Sequence, residues 1–266
     1  MATAPLIELD QVSKSFDGGR TFALRDVSLA VEAGAFIALV GASGSGKTTA
    51  MKLINRLLEP DQGEVRVEGV AVGTLDAPPL RRRIGYVFQG VGLFPHMTIA
   101  ENIAITPQLL GWPRSEIDAR VAELLDLVEL PQHYAGRLPQ ALSGGQRQRA
   151  GVARAIAARP RVVLMDEPFG ALDPITRDAL ATAWRAIHDR LGVTTIMVTH
   201  DVQEAVLLAD RIVVMGGGRI LAEDAPGPLL GGDAAPEVAA LMAMPRRQAE
   251  RIRALLDTNG GPAAHG

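Results

Sequence analysis

Apolar residues along this chain fall in two rhythms, and the alternation between them predicts the elements. Ala35-Phe36-Ile37-Ala38-Leu39-Val40 is an unbroken apolar run, echoed by Val162-Val163-Leu164-Met165, Thr195-Ile196-Met197-Val198 and Ile212-Val213-Val214-Met215. Runs this short and continuous are what strands covered on both faces show. Residues 6–40 also read as β structure, with Val27, Leu29 and Val31 alternating with Ser28, Ala30 and Glu32 and a turn signal at Asp17-Gly18-Gly19. Alternation restarts at Glu64-Val65-Arg66-Val67, and Ile84-Gly85-Tyr86-Val87-Phe88, closed by Gln89, is a further strand. Helical spacing takes over in Thr49–Leu57 and through residues 98–158. There Glu116–Leu130 places Ile117, Val121, Leu124, Leu125 and Val128 near i, i+4, i+7, i+8.

Strands alternating with helices predict an α/β fold with a mainly parallel sheet, an antiparallel β part at the N-terminus and a helical insertion over about 90–160. Pro226, Pro228, Gly231, Gly232 and Pro236 give residues 225–236 the texture of a linker. Met244–Asp257 reads as a terminal helix and Thr258–Gly266 as a frayed tail. The expected division is one domain over 1–225 followed by linker, helix and tail over 226–266.

Composition removes several functions. With 266 residues, 47% of them hydrophobic, the chain has enough apolar surface for a sizeable core. A net charge of −3 gives no bulk attraction to nucleic acid, which is not expected as a partner. Cysteine is absent, so thiolate catalysis, disulfides and Cys-based metal sites are excluded. Asp10, Lys14 and Asp17 interrupt any signal-peptide core, and no run approaches the ~18 apolar residues of a spanning helix. The expectation is a soluble protein, or one attached to a membrane only through a partner.

Candidate chemistry begins at Gly41-Ala42-Ser43-Gly44-Ser45-Gly46-Lys47-Thr48, which fits G-x-x-x-x-G-K-[ST] between a predicted strand and a predicted helix. Glycines let successive N–H groups face inward, and the helix start adds the positive end of its dipole. In this pattern Lys47 reaches the β- and γ-phosphates of a nucleotide and the Thr48 hydroxyl binds Mg²⁺. A second feature is the strand Val162–Met165 ending in Asp166-Glu167. At a strand's C-terminal end these carboxylates face the crevice where open α/β sheets bind ligands. Asp166 suits the Mg²⁺ shell and Glu167 suits proton abstraction from an attacking water. Alone, two acidic residues after a strand read equally well as a solvated loop. The third feature is Leu142-Ser143-Gly144-Gly145-Gln146 before a helix-like run, a second anion site of N–H groups and dipole. One nucleotide does not need two such sites in one subunit, so the second is expected to cap a nucleotide held by another copy.

With these motifs in this order, the chain resembles the ATP-binding subunit of ABC transporters over nearly its whole length. Gly41–Thr48 is similar to that family's Walker A, Val162–Asp166 with Glu167 to its Walker B, and Leu142–Gln146 to its signature motif. Gln89 falls at the Q-loop glutamine, Ala171-Leu172-Asp173 at the D-loop, His200 at the switch histidine and Phe16 at the aromatic that stacks on adenine. The resemblance implies a P-loop NTPase, ATP and Mg²⁺ as cofactors, and a head-to-tail homodimer. Two nucleotides would lie between the Walker A of one subunit and the signature loop of the other. The implied catalytic set is Glu167, His200, Gln89 and Asp166, with Thr48, Gln89 and Asp166 at the metal. Nucleotide contacts fall to Phe16, Gly41–Thr49, Ser143, Gly144, Gly145, Gln146 and Asp173. Phe16 also suits simple core packing, and Arg147, Arg149 and Arg154 suit a solvated helix face.

In the family, the stretch after Gln89 receives a membrane permease. Apolar Leu93, Phe94 and Met97 within residues 89–103 are expected to be exposed for it. Met51–Leu57, Gly92–His96, Asp166–Arg177 and Pro245–Ala249 resemble the osmoprotectant importers, which take up quaternary amines such as glycine betaine, choline or carnitine. The implied function is ATP-driven uptake through a separate permease, with an extracytoplasmic solute-binding protein as indirect partner and a location at the cytoplasmic membrane face. An importer for another small solute, such as an amino acid or sulfonate, is the alternative. A soluble, non-transport ABC ATPase and an unrelated P-loop kinase fit less of the sequence.

Overall fold

Two sheets share one layer of side chains in the computed structural model, which describes residues 4–90, 92–231 and 235–259. The chain starts with β1 (Ile7–Ser15) and β2 (Phe22–Val31), continues through β3 (Phe36–Val40) into α1 (Lys47–Ile54), and returns as β4 (Gln62–Val67) and β5 (Val70–Ala71). Next come α2 (Ala77–Arg83) and β6 (Ile84–Val87). Three helices follow, α3 (Ile99–Leu109), α4 (Arg114–Leu127) and α5 (Gly144–Ile156). Strands then alternate with helices: β7 (Val162–Asp166), α6 (Pro174–Leu191), β8 (Thr194–Val198), α7 (Val202–Leu208) and β9 (Arg211–Gly216). β10 (Arg219–Asp224), α8 (Pro226–Gly231) and α9 (Pro236–Asn259) complete the described order.

Sheet one has the order β2-β1-β4-β5 with antiparallel neighbours, and sheet two runs β10-β9-β3-β8-β7-β6. In the second, β9, β3, β8, β7 and β6 are parallel and only β10 is antiparallel, to β9. The continuous apolar runs have a direct cause here. Side chains alternate between faces along a strand, and each face of the larger sheet has its own core. Phe36, Ala38 and Val40 join the cluster under the helices, while Ile37 and Leu39 join the cluster shared with the antiparallel sheet and α1. Val163 and Met165 face the first cluster, and Val162 and Leu164 the second. The parallel strands therefore have no solvent face to polarise.

α3, α4 and α5 pack on one another and form the helical insertion. A capping box starts α3: the Thr98 side chain accepts from Glu101 N, and the Glu101 carboxylate accepts from Thr98 N at 2.7 Å. Three readings are corrected. Residues 226–231 of the expected linker are α8, and residues 232–234 lie outside the described set. The terminal helix begins at Pro236, not near Met244, because Val238 and Met242 are buried in the main core and draw its first turns against α7. Residues 260–266 of the expected tail lie outside the described residues. The third correction concerns α5. Its arginines are not a solvated face: Arg154 is buried with Nη1 2.6 Å from Gly92 O, Arg149 Nη1 reaches Val128 O at 3.0 Å, and Arg147 Nη1 reaches Leu142 O at 2.6 Å.

Candidate functional site

The loop after β3 is shaped by glycines where no other residue fits. Gly41, Gly44 and Gly46 have φ of 149°, 78° and 103°, the region that side chains with a Cβ avoid. A Cβ on Gly41 would collide with the Met215 carbonyl oxygen, and one on Gly46 with the Ala23 carbonyl oxygen. The backbone thus passes tight against β9 and β2 and turns into α1 with no side-chain cap at Gly46. First-turn N–H groups of a helix have no intrahelical acceptor, so this end is left open to an anion.

Lys47 is buried and curls over the loop. Its Nζ donates to Gly41 O and Ala42 O, both at 2.8 Å, and to Ser45 Oγ at 3.1 Å. Burial holds its amine below the usual lysine range, against the opposing pull of the Glu167 and Asp166 charges. Thr48 Oγ1 donates to Asp166 Oδ1 at 3.2 Å, which joins the glycine loop to the end of β7 across 118 residues. Burial raises the Asp166 carboxyl, while the Thr48 hydroxyl, the Lys52 charge and Tyr86 work the other way. Burial, and then the Asp166 charge, push the Tyr86 phenol up as well. That neighbour was not singled out in the sequence, because it is one apolar-flanked tyrosine inside a short strand.

Glu167 follows β7 in the left-handed region, at φ 43°, a conformation a glutamate rarely takes. Its N–H donates to Val198 O at 2.9 Å, so the next strand holds the unusual turn in place. The side chain then meets two distant groups: Gln89 Nε2 donates to Oε2 at 2.8 Å, and His200 Nδ1 stands 3.3 Å from Oε1. Ala23, Ser43, Gly44, Gly46, Lys47, Thr48, Thr49, Glu167 and His200 line a cleft of about 430 Å³. Ala23, on β2, carries no sequence signal for this position.

The structure does not bring every expected residue to this cleft. Phe16 lies beyond the end of β1 with its ring 65% exposed, so it is not core, and Lys14 Nζ is 5.8 Å from the ring centroid. Ser143, Gly144, Gly145 and Gln146 sit at the start of α5 and do not line the cleft. Ser143 and Gln146 form a capping box there, with Gln146 N on Ser143 Oγ at 3.3 Å and Ser143 N on Gln146 Oε1 at 2.9 Å. Gly145 is pressed against the Thr176 methyl of α6. Asp173 caps α6, accepting from Thr176 N at 3.0 Å, and its bonds with Thr176 hold its carboxyl low. In the stretch after Gln89, Phe94 is 46% exposed, but Leu93 packs partly against the main core and Met97 is only half-exposed. The expectation of three exposed apolar residues is corrected to one.

The donor set also bears on a metal. Among the described residues no three His, Cys, Asp or Glu side chains converge on a cation site. Thr48 Oγ1 and Asp166 Oδ1 offer two hard oxygens 3.2 Å apart in an open cleft. That suits an ion such as Mg²⁺, which keeps waters and substrate oxygens in its shell. Gln89 is turned to Glu167 instead of to this oxygen pair.

Residues 24–170 match the family described as ABC transporter. The chain belongs to the ABC transporter family, and its fold is the ABC-cassette P-loop fold. It is 49% identical over 225 residues to the choline transport ATP-binding protein OpuBA of Bacillus subtilis, covering 85% of this chain and 59% of that protein. The glycine betaine uptake system ATP-binding protein YehX of Escherichia coli is 49% identical over 225 residues, or 85% of this chain and 72% of that one. A sulfate/thiosulfate import ATP-binding protein, CysA of Gloeobacter violaceus, is 48% identical over 217 residues, 80% of this chain and 61% of its own. The chain therefore spans about three fifths of several of the curated relatives it matches, at 59% for OpuBA. Among solved structures, the ATP-binding cassette MJ0796, a dimer in a post-hydrolysis state bound to ADP and Pi, superposes with a TM-score of 0.73. It is 34% identical, over 82% of this chain and 98% of that one.

Proposed function

We propose that this chain binds and hydrolyses ATP as the motor subunit of an importer for a quaternary-amine osmoprotectant. The observation that carries the reading is the convergence of Lys47, Thr48, Asp166, Glu167, Gln89 and His200 around one cleft from positions 47 to 200 of the chain. In this reading the N–H groups of Gly41–Thr49 cradle the phosphates and Lys47 turns from its loop carbonyls to the β- and γ-phosphates. Thr48 and Asp166 hold Mg²⁺, with Gln89 beside them, and the bound ion spreads the negative charge of the phosphates. Glu167 orients and deprotonates the attacking water, and His200 holds the γ-phosphoryl end of the cleft. Phe16, with its exposed ring, stacks on the adenine base.

Ser143, Gly144, Gly145 and Gln146 do not reach this cleft in one protomer. In the proposal they serve the cleft of a second copy in a head-to-tail dimer, as does Asp173. Support comes from the dimeric state of the related cassette MJ0796. Residues 89–103, with exposed Phe94, dock a separate permease that communicates with an extracytoplasmic solute-binding protein. Among the described residues no helix is long and apolar enough to cross a membrane, which accords with attachment to the cytoplasmic face through that permease. The ATP-binding domain is proposed to span residues 1–225. The solute class rests on the names of relatives such as OpuBA and YehX, while the likeness to CysA keeps sulfate-type importers as the second reading.

Equilibrium titration of the full chain with ATP tests the reading. Wild type is expected to bind and Lys47→Ala to bind at least about tenfold more weakly; equal affinities would sink it. Uptake of radiolabelled glycine betaine, lost when Lys47→Ala replaces the native chain, tests the solute class.

A further inference from the structure

Arg177 stands in the first turn of α6, its N–H bonded to Asp173 O at 2.9 Å. Its guanidinium lies between two segments that reach the cleft by separate routes. On one side Nη2 faces Leu172 O at 3.4 Å, in the Ala171-Leu172-Asp173 loop. On the other, Nη1 is 3.5 Å from Asp201 Oδ2, and Asp201 directly follows His200. Nε faces Glu204 Oε1 at 3.8 Å and is buried with no hydrogen-bond partner.

Glu204 extends the connection behind His200. It is buried, and its Oε2 accepts the Thr199 hydroxyl at 2.8 Å. Thr199 Oγ1 in turn accepts from Asp201 N at 3.0 Å. Of the two neighbours of His200, Thr199 is thus held by the Glu204 carboxylate and Asp201 carries its own, and Arg177 faces both charges. The His200 ring itself is exposed, and its one hydrogen bond or ion pair among the described residues is with Glu167. Its position is therefore set by its flanks. Two acceptors, Leu172 O and Asp201 Oδ2, and the Glu204 carboxylate facing Nε at 3.8 Å lie in three directions and suit the planar fork of an arginine, whereas a lysine offers one point charge. Removing the guanidinium would leave a buried carboxylate uncompensated against Thr199.

We propose that Arg177 is a positioning residue for ATP hydrolysis. It ties the Leu172 loop and the turn bearing His200 into one bonded unit and so sets His200 against Glu167. The inference rests on the ATPase reading above and adds a residue that never touches nucleotide. It also predicts that displacement of the Leu172–Asp173 loop, when a second copy covers it, is transmitted to His200 through the guanidinium.

The test uses the full chain with Mg²⁺ and ATP. Arg177→Met is expected to lower kcat about 10- to 100-fold, as a misplacement of about 1 Å of a reacting group does, with KM and ADP affinity within about twofold. The His200 imidazole NMR signals are expected to shift with it. Adding Glu204→Gln removes the stranded charge and should restore part of kcat, and Arg177→Lys should also recover part. Arg185→Met is the control. Arg185 lies further along α6, paired with Asp189 at 2.7 Å and Asp210 at 2.8 Å, and its loss should leave kcat and the His200 signals unchanged. Wild-type kcat in Arg177→Met, or a fall in kcat with unmoved His200 signals, overturns the proposal. So does the same shift in Arg185→Met. Should Arg177→Met not fold, Arg177→Lys decides: reduced kcat with shifted His200 signals supports the proposal, and wild-type kcat with unmoved signals overturns it. A wild-type chain that fails to bind ATP overturns the ATPase reading itself, a result separate from all of these.

Discussion

Gln89 Nε2 and Glu167 Oε2 stand 2.8 Å apart, joining the end of β6 to the end of β7 across 78 residues. With His200 Nδ1 3.3 Å from the other carboxylate oxygen, both oxygens of Glu167 are engaged. Each oxygen keeps a second lone pair and the side chain lines the open cleft, so a water can still bond to the carboxylate while Gln89 and His200 hold its orientation.

Glu167→Gln keeps the shape and a hydrogen-bonding group for Gln89 and removes the proton acceptor. ATP affinity is expected to stay within a few-fold, while steady-state turnover falls by about 10²–10⁴, the usual weight of general-base catalysis. Turnover near wild type would take Glu167 out of the base role.

Chelation separates fold from chemistry. Among the described residues no three acidic or imidazole groups stand together as a structural metal site. Excess chelator is expected to leave the melting temperature of the nucleotide-free chain unchanged and to stop ATP hydrolysis, with Mg²⁺ restoring it. A large loss of thermal stability on chelation would contradict this.

Two glycines of the phosphate loop differ in what surrounds them. A Cβ on Gly44 meets no heavy atom within 4 Å, so Gly44→Ala carries only the left-handed backbone cost, about 1–2 kcal/mol. Gly46→Ala would also strike the Ala23 carbonyl and Leu24, so its loss in urea denaturation should exceed that of Gly44→Ala by about 1 kcal/mol or more. Equal costs would show that the loop relaxes away from β2.

His188 gives the core a pH dependence. It is buried on α6, with Nδ1 3.0 Å from Thr195 Oγ1. Burial, and then the Arg185 charge, hold its imidazole below the ordinary value of 6.5. A base whose folded value is depressed binds fewer protons folded than unfolded, so stability rises with pH between the two values. The contribution is complete above about 6.5 and shrinks as the pH falls toward the folded value. Denaturation at pH 7.5 and 5.5 should show a larger loss for wild type than for His188→Gln; equal losses would assign the pH dependence elsewhere.

Much of this fold is legible in sequence because its signals are local. The run Phe36–Val40 announces a strand buried on both faces, and Lys47–Thr48 after glycines announces the helix start. Where the reading failed, the deciding contact was distant. Pro226 and Gly231 bound a short helix whose Leu229 is drawn into the main core, and Val238 and Met242 start α9 early for the same reason. Arg147, Arg149 and Arg154 show helical spacing, but nothing local tells that the carbonyls of Leu142, Val128 and Gly92 await them. Ala23 entered the cleft only because β2 runs beside Gly46. The Glu167 partners were named in the sequence, yet their meeting on one carboxylate is a product of strand order.

The central claim is that each nucleotide site is built from two copies, with Gly41–Thr49 from one and Ser143–Gln146 from the other. Mixing two inactive variants tests it most directly. Lys47→Ala disables the phosphate loop, and Ser143→Arg disables the α5 end. In a mixed dimer one site collects both lesions and the other receives an intact phosphate loop and an intact α5 end. The account predicts that ATP hydrolysis, absent from either variant alone, reappears when the two are mixed. Hydrolysis by Ser143→Arg alone at the wild-type rate, or a mixture as inactive as its components, would contradict it.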